Sequence, residues 1–82
     1  MEWKHLIENI APLVLSVTPL APFVPFVVGG INEAESLHSS SQAKLNHATN
    51  YVEMSCEFVP RDTISKSIST IVDIANWVYQ SR

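Results

Sequence analysis

The most unusual stretch of the chain is an uncharged run of nineteen residues, 10–28, with the sequence IAPLVLSVTPLAPFVPFVV. A helix of this length would measure about 28 Å, close to the hydrocarbon thickness of a bilayer. Four prolines interrupt the run, at Pro12, Pro19, Pro22 and Pro25. Each proline removes a backbone donor and disfavours helical geometry in the residue before it. The pattern therefore predicts an apolar segment that bends.

Three structures are compatible with this run. The first is a single proline-kinked helix that spans a membrane, preceded by an aromatic residue and a lysine as membrane helices often are. The second is a pair of short helices, about 3–17 and 23–38, joined at 18–22 as a re-entrant or soluble hairpin. The third is a cleaved secretory signal, which fits less well because Glu2 lies in its leading region and no A-x-A site precedes the glycine pair.

A second amphipathic element is predicted over residues 42–59. Ser41 is suited to cap this helix, and Pro60 ends it, because a residue before proline is pushed out of the helical region. Its apolar residues recur at spacings of three and four, as one face of a helix requires, at Leu45, Ala48, Val52, Cys56 and Val59.

The clearest element is a C-terminal helix predicted over 62–81, with Asp62 or Thr63 as its cap. Many of its apolar residues are β-branched, which lowers intrinsic helix propensity, so this helix needs packing partners. Those partners are the preceding helix, the proline segment or other copies of the chain. The predicted packing face comprises Ile64, Ile68, Ile71, Val72, Ala75 and Val78, and it is widened by Ile74 and Trp77.

Together these elements predict an all-α fold in a single domain, 1–82, in which residues 1–38 hold the proline-interrupted segment and a short helix. A domain of this size buries only about 60–65% of its unfolded surface, so its stability alone is marginal.

Charge and composition exclude several functions. The five basic residues are scattered and the net charge is −3, so no nucleic-acid footprint is present. His5, His38 and His47 lack zinc-ligand spacing, and the single Cys56 has no base nearby in sequence. We therefore expect no enzyme activity, no cofactor, no metal and no small-molecule substrate.

The order of these pieces resembles that of small bacteriophage holin-like proteins, in which an apolar N-terminal segment precedes amphipathic helices. The matching pieces are APLVLSVTPLAPFVPFVV, INEAESL, AKLNHATNYV and ISKSISTIVDIANWV. The resemblance implies a protein that inserts into the host inner membrane, assembles there as a homo-oligomer and permeabilises the membrane late in infection. The implied contacts with lipid or neighbouring copies are Leu13, Val17, Phe23 and Phe26, while Pro19, Pro22 and Pro25 would permit close packing or a gate.

The prolines depart from a simple holin span and leave an alternative open. In that alternative the chain is a non-enzymatic component of the virion or of its assembly. Its helices would then dock on larger phage structural proteins or on other copies of the chain. An inhibitor that binds a host protein through its helices is a third hypothesis.

Overall fold

A computed structural model describes residues 2–81 and folds them into four α-helices. No strand occurs among these residues, so the predicted all-α fold is confirmed. The helices are α1 (Trp3–Leu15), α2 (Val24–Leu37), α3 (Ser41–Glu53) and α4 (Arg61–Gln80), with a 3₁₀ turn over Ala21–Phe23 before α2.

The uncharged run is divided between α1 and α2 by a turn of the chain. The Thr18 hydroxyl donates to the Leu15 carbonyl oxygen at 2.9 Å, and it accepts from the Leu20 amide at 3.1 Å. These two bonds close the end of α1 and start the turn, since Ser and Thr side chains compete with helical backbone bonding. The bend therefore lies between two helices, as in the hairpin alternative.

Two of the prolines occupy positions that helices tolerate. Pro22 and Pro25 lie in the first turns of the 3₁₀ element and of α2, where a missing amide breaks no intrahelical bond. Pro12 lies inside α1 at an exposed position, where it removes one intrahelical hydrogen bond. None of the described helices is both long and apolar enough to cross a bilayer.

Side-chain contacts show that neighbouring helices run antiparallel. The Trp3 indole N–H donates to Asn76 Oδ1 at 2.8 Å, which joins the start of α1 to the second half of α4. An ion pair joins the last turn of α2 to the first turn of α3. α1 packs mainly on α4, α2 on α3, and α3 on α4. The connections 16–23 and 54–60 therefore meet at one end of the bundle, which we call the loop end. The opposite end is the terminal end.

The core draws on all four helices. α4 contributes Ile64, Ile68, Ile71 and Ala75, each at most 2% exposed, while Val72 and Val78 are partly buried at the edge. The predicted packing face thus lies against α1 and α3 of the same chain. The predicted widening of that face is wrong, because Ile74 and Trp77 are 37% and 69% exposed. The other helices supply Leu6, Ile7, Ala11, Leu15, Val27, Ile31, Ala34, Ala48 and Val52.

The helix predicted over 42–59 is shorter than its apolar pattern indicates. α3 ends at Glu53, and Cys56 and Val59 enter the core from turns instead. The amide of Val59 donates to the Cys56 carbonyl at 3.2 Å, which closes one of these turns. Apolar residues at helical spacing are therefore buried here even though the chain leaves the helix after Glu53 and turns back.

Both predicted caps also differ from the structure. Ser40, rather than Ser41, caps α3, and its hydroxyl accepts from the Ala43 amide at 3.1 Å. α4 begins immediately after Pro60, so neither Asp62 nor Thr63 is its cap. Asp62 instead lies in the first turn, where a carboxylate interacts favourably with the helix dipole.

Candidate functional site

The loop end combines a closed core with exposed apolar side chains. Leu20, Cys56 and Val59 are buried there and close that end of the core. Side chains nearby in sequence face solvent instead, and Val17 and Phe58 are 89% and 97% exposed. The two connections therefore present apolar groups on their outer side as well as their inner side.

Nine large hydrophobic side chains are exposed among residues 2–81, and five of them lie at or beside the loop end. Their exposed fractions range from 44% for Phe26 to 97% for Phe58. We call these five the loop-end set: Leu13, Val17, Phe26, Met54 and Phe58.

Most of the residues implied as contacts by the family resemblance lie at this end and face solvent. Leu13, Val17 and Phe26 are exposed, as are Pro19, Pro22 and Pro25. Phe23 differs, because it is partly buried and packs against the core, with its ring centroid 6.3 Å from that of Phe26.

Sequence reasoning missed two members of the set, Met54 and Phe58. Both lie within the segment that was predicted to be helical up to residue 59, and both fall off its apolar stripe. That position off the stripe is the signal that could have identified them. The turn after Glu53 then brings them to the same end as the α1–α2 connection.

Charged residues flank Met54 and Phe58 in sequence. The Arg61 guanidinium donates to Glu53 Oε1 at 2.9 Å and to Asn50 Oδ1 at 2.6 Å. Lys66 pairs with Asp62 at 3.1 Å, while Glu57 forms no ion pair with any described residue.

The thiol at this end is not suited to react. Cys56 is 1% exposed, and burial raises the pKa of its thiol. Since the thiolate is the nucleophilic form, a buried neutral thiol is inert. Cys56 therefore contributes to the core rather than to a reaction.

A cleft of about 760 Å³ opens at the terminal end, between the first half of α3 and the second half of α4. Its apolar walls include Ile31, Leu45 and Val72. Charged residues also line it. These charged residues are Glu2, Lys4, Glu35, Lys44 and Asp73.

Two of the histidines come together at the α2–α3 connection. His38 Nε2 lies 3.2 Å from His47 Nδ1, and His47 Nε2 lies 2.7 Å from Glu33 Oε2. Sequence reasoning found no zinc-ligand spacing among the histidines and did not place these two together. The histidines are nine residues apart across a helix break, so no rule of helical spacing pairs them.

Within residues 2–81 no three histidine, cysteine or acidic side chains converge in a way that could hold a metal ion. No family model, curated protein or solved structure matches this chain. The function is therefore argued from the surfaces of the molecule.

Proposed function

We propose that this protein is a non-enzymatic assembly protein that self-associates through the loop-end set. The observation that carries the proposal is the near-complete exposure of Phe58, Val17 and Met54 on turns whose other residues close the core. In the phage setting that the sequence resemblance implies, such a protein is a component of the virion or of its assembly.

The exposure of large apolar side chains supports this proposal. Four of the five members of the loop-end set are more than 70% exposed, and aromatic and methionine side chains are enriched in interface cores. Burial of apolar surface is worth about 25 cal/mol per Å², although lost rotational and translational freedom offsets much of that gain in association. We therefore expect an association that depends strongly on one or two central aromatic residues.

Phe58 is the residue to test first, because it is 97% exposed and its removal costs the monomer little. Sedimentation velocity of the wild type from about 1 μM to about 1 mM is expected to show concentration-dependent association. Phe58→Ser is expected to weaken that association at least about tenfold, which is the loss of roughly 1.4 kcal/mol. Circular dichroism of the variant should match that of the wild type.

Leu37→Ser is the matched control, because Leu37 is also exposed, at 62%, but lies at the end of α2 away from the loop end. This variant should associate like the wild type. A wild type that stays monomeric over the whole range contradicts the proposal. Equal weakening by Leu37→Ser and Phe58→Ser would also contradict it, because the loop end would then have no special role.

The second candidate is the holin-like function, and the uncharged run 10–28 favours it. The run contributes Leu13, Val17 and Phe26 to the loop-end set, so its exposed apolar residues lie at the end where lipid could be met. Insertion across a bilayer would require α1 and α2 to leave this packing, since neither is long enough alone.

Leakage of a trapped dye from vesicles of phosphatidylethanolamine and phosphatidylglycerol tests this candidate. Dye release by the wild type, with its loss in Val17→Asp, supports a membrane function. Protein that remains in the supernatant when such vesicles are sedimented, without dye release, rules out this function.

A further inference from the structure

The contact between the two histidines has the dimensions of a two-histidine metal site. Zinc–nitrogen bonds measure about 2.0–2.1 Å, so two imidazoles on one tetrahedral ion have nitrogens about 3.4 Å apart. The observed separation of His38 Nε2 and His47 Nδ1 is 3.2 Å, and their rings are tilted by 55° with centroids 5.0 Å apart. An ion between these nitrogens would therefore need only a small opening of the pair.

Glu33, which contacts the other ring nitrogen of His47, also supports a two-histidine metal site here. Its carboxylate lies 2.7 Å from His47 Nε2 and leaves Nδ1 as the nitrogen that faces His38. Histidines that bind metals usually donate their second ring N–H to a carboxylate or carbonyl, which fixes the tautomer and the ring orientation. Glu33, His47 and an ion would make this arrangement, with Glu33 as the orienting group and not a ligand.

Ion binding here requires one tautomer change and no net loss of protons from the neutral rings. For His47 to bind the ion through Nδ1, its proton must lie on Nε2, where Glu33 Oε2 at 2.7 Å can accept it. His38 must carry its proton on Nδ1, so that Nε2 offers a lone pair as well. In the hydrogen-bonded form without an ion, the proton between the rings occupies the place of the ion.

The surroundings suit a surface site with open coordination positions. The His47 side chain is 27% exposed and that of Glu33 is 47% exposed, so water can complete the coordination. Lys44, the nearest cation on α3 in sequence, is paired with Glu35 at 3.0 Å, which offsets its charge. Because no third protein ligand converges here, the remaining positions fall to water.

We propose that His38 and His47 form a binding site for a divalent transition-metal ion, with Glu33 as its orienting residue. Imidazole pairs suit zinc, nickel and copper, and the affinity is expected to rise from zinc to copper. The site stands on the α2–α3 contact alone and is independent of the self-association proposed for the loop end. Metal binding there would hold the end of α2 against α3.

Isothermal titration calorimetry with zinc chloride and with copper sulfate, at neutral pH in a buffer that binds neither ion, tests the site. We expect saturable binding of one ion per chain by the wild type. His38→Gln and His47→Gln should each weaken binding at least about tenfold, and Glu33→Gln by about 10–100-fold. All three side chains are partly exposed, so circular dichroism should show folded variants.

His5→Gln is the matched control, since His5 is an exposed histidine on α1 that has Glu2 and Glu8 within 4.0 Å. It should bind zinc and copper like the wild type. A second readout is the thermal midpoint, which zinc should raise in the wild type and in His5→Gln but not in His47→Gln. No saturable zinc or copper binding up to about 1 mM would overturn the site, as would equal losses in His5→Gln and His47→Gln.

Discussion

The glycine pair in α2 offers a sharp test of how closely α2 and α3 pack. Gly29 and Gly30 are adjacent and both lie in the interior of the same helix. A methyl carbon at Gly29 would lie 3.3 Å from the Tyr51 hydroxyl oxygen, at the far end of that side chain. A methyl carbon at Gly30 would lie 3.0 Å from Tyr51 Cδ1 and 3.3 Å from the Ala48 carbonyl oxygen. The second position meets backbone that cannot move independently of α3.

Both substitutions to alanine gain helix propensity, but only Gly30→Ala adds a contact that is too close. Alanine is favoured over glycine in a helix interior by about 0.5–1 kcal/mol, at either position. Overpacking a close contact costs about 1–3 kcal/mol, and this applies fully only at Gly30. We expect Gly29→Ala to be neutral or stabilising and Gly30→Ala to be less stable than Gly29→Ala by about 1–3 kcal/mol.

Thermal unfolding followed by circular dichroism measures this difference directly. For a domain of this size 1 kcal/mol corresponds to about 4–8 °C, so the two midpoints should differ by at least about 4 °C. Urea titration gives the same comparison as a free energy of unfolding. A Gly30→Ala variant as stable as Gly29→Ala would refute the close approach of α2 to α3.

Three further predictions concern the rest of the bundle. Ser40→Ala should lower the free energy of unfolding by about 1 kcal/mol in urea titrations, because it removes the α3 cap, while Ser41→Ala should change it little. Ile71→Ala should lower it by about 2–5 kcal/mol, because Ile71 is fully buried, and a loss below that of Val72→Ala would contradict this core. Because burial raises the pKa of the Cys56 thiol, the stability that this group contributes below its ordinary value of 9.0 is lost as the pH rises through the folded-state pKa. Unfolding free energies measured across alkaline pH should fall less steeply in Cys56→Ala, and an unchanged slope would contradict the shift.

The loop end shows which surface residues the sequence predicts and which it does not. The absence of charge in 10–28 and the spacing of its prolines predict a bend, while Leu13 and Val17 were named as contacts only through the family resemblance. Met54 and Phe58 are marked only by their position off the apolar stripe from Leu45 to Val59, and that stripe continues at helical spacing through a chain that has left the helix. Periodicity reports which residues are buried, and both a helix and a pair of turns can bury the same residues.

The amino-acid sequence by itself determined the all-helical class, the presence of a bend in the proline-rich run and most of the buried face of α4. Those features are local, since proline geometry and helical period act over a few residues. Only the tertiary structure decided which exposed residues share an end of the bundle and that His38 meets His47. Such contacts depend on the direction and spacing of whole helices, which are set by packing across the core and leave no short-range mark in the sequence.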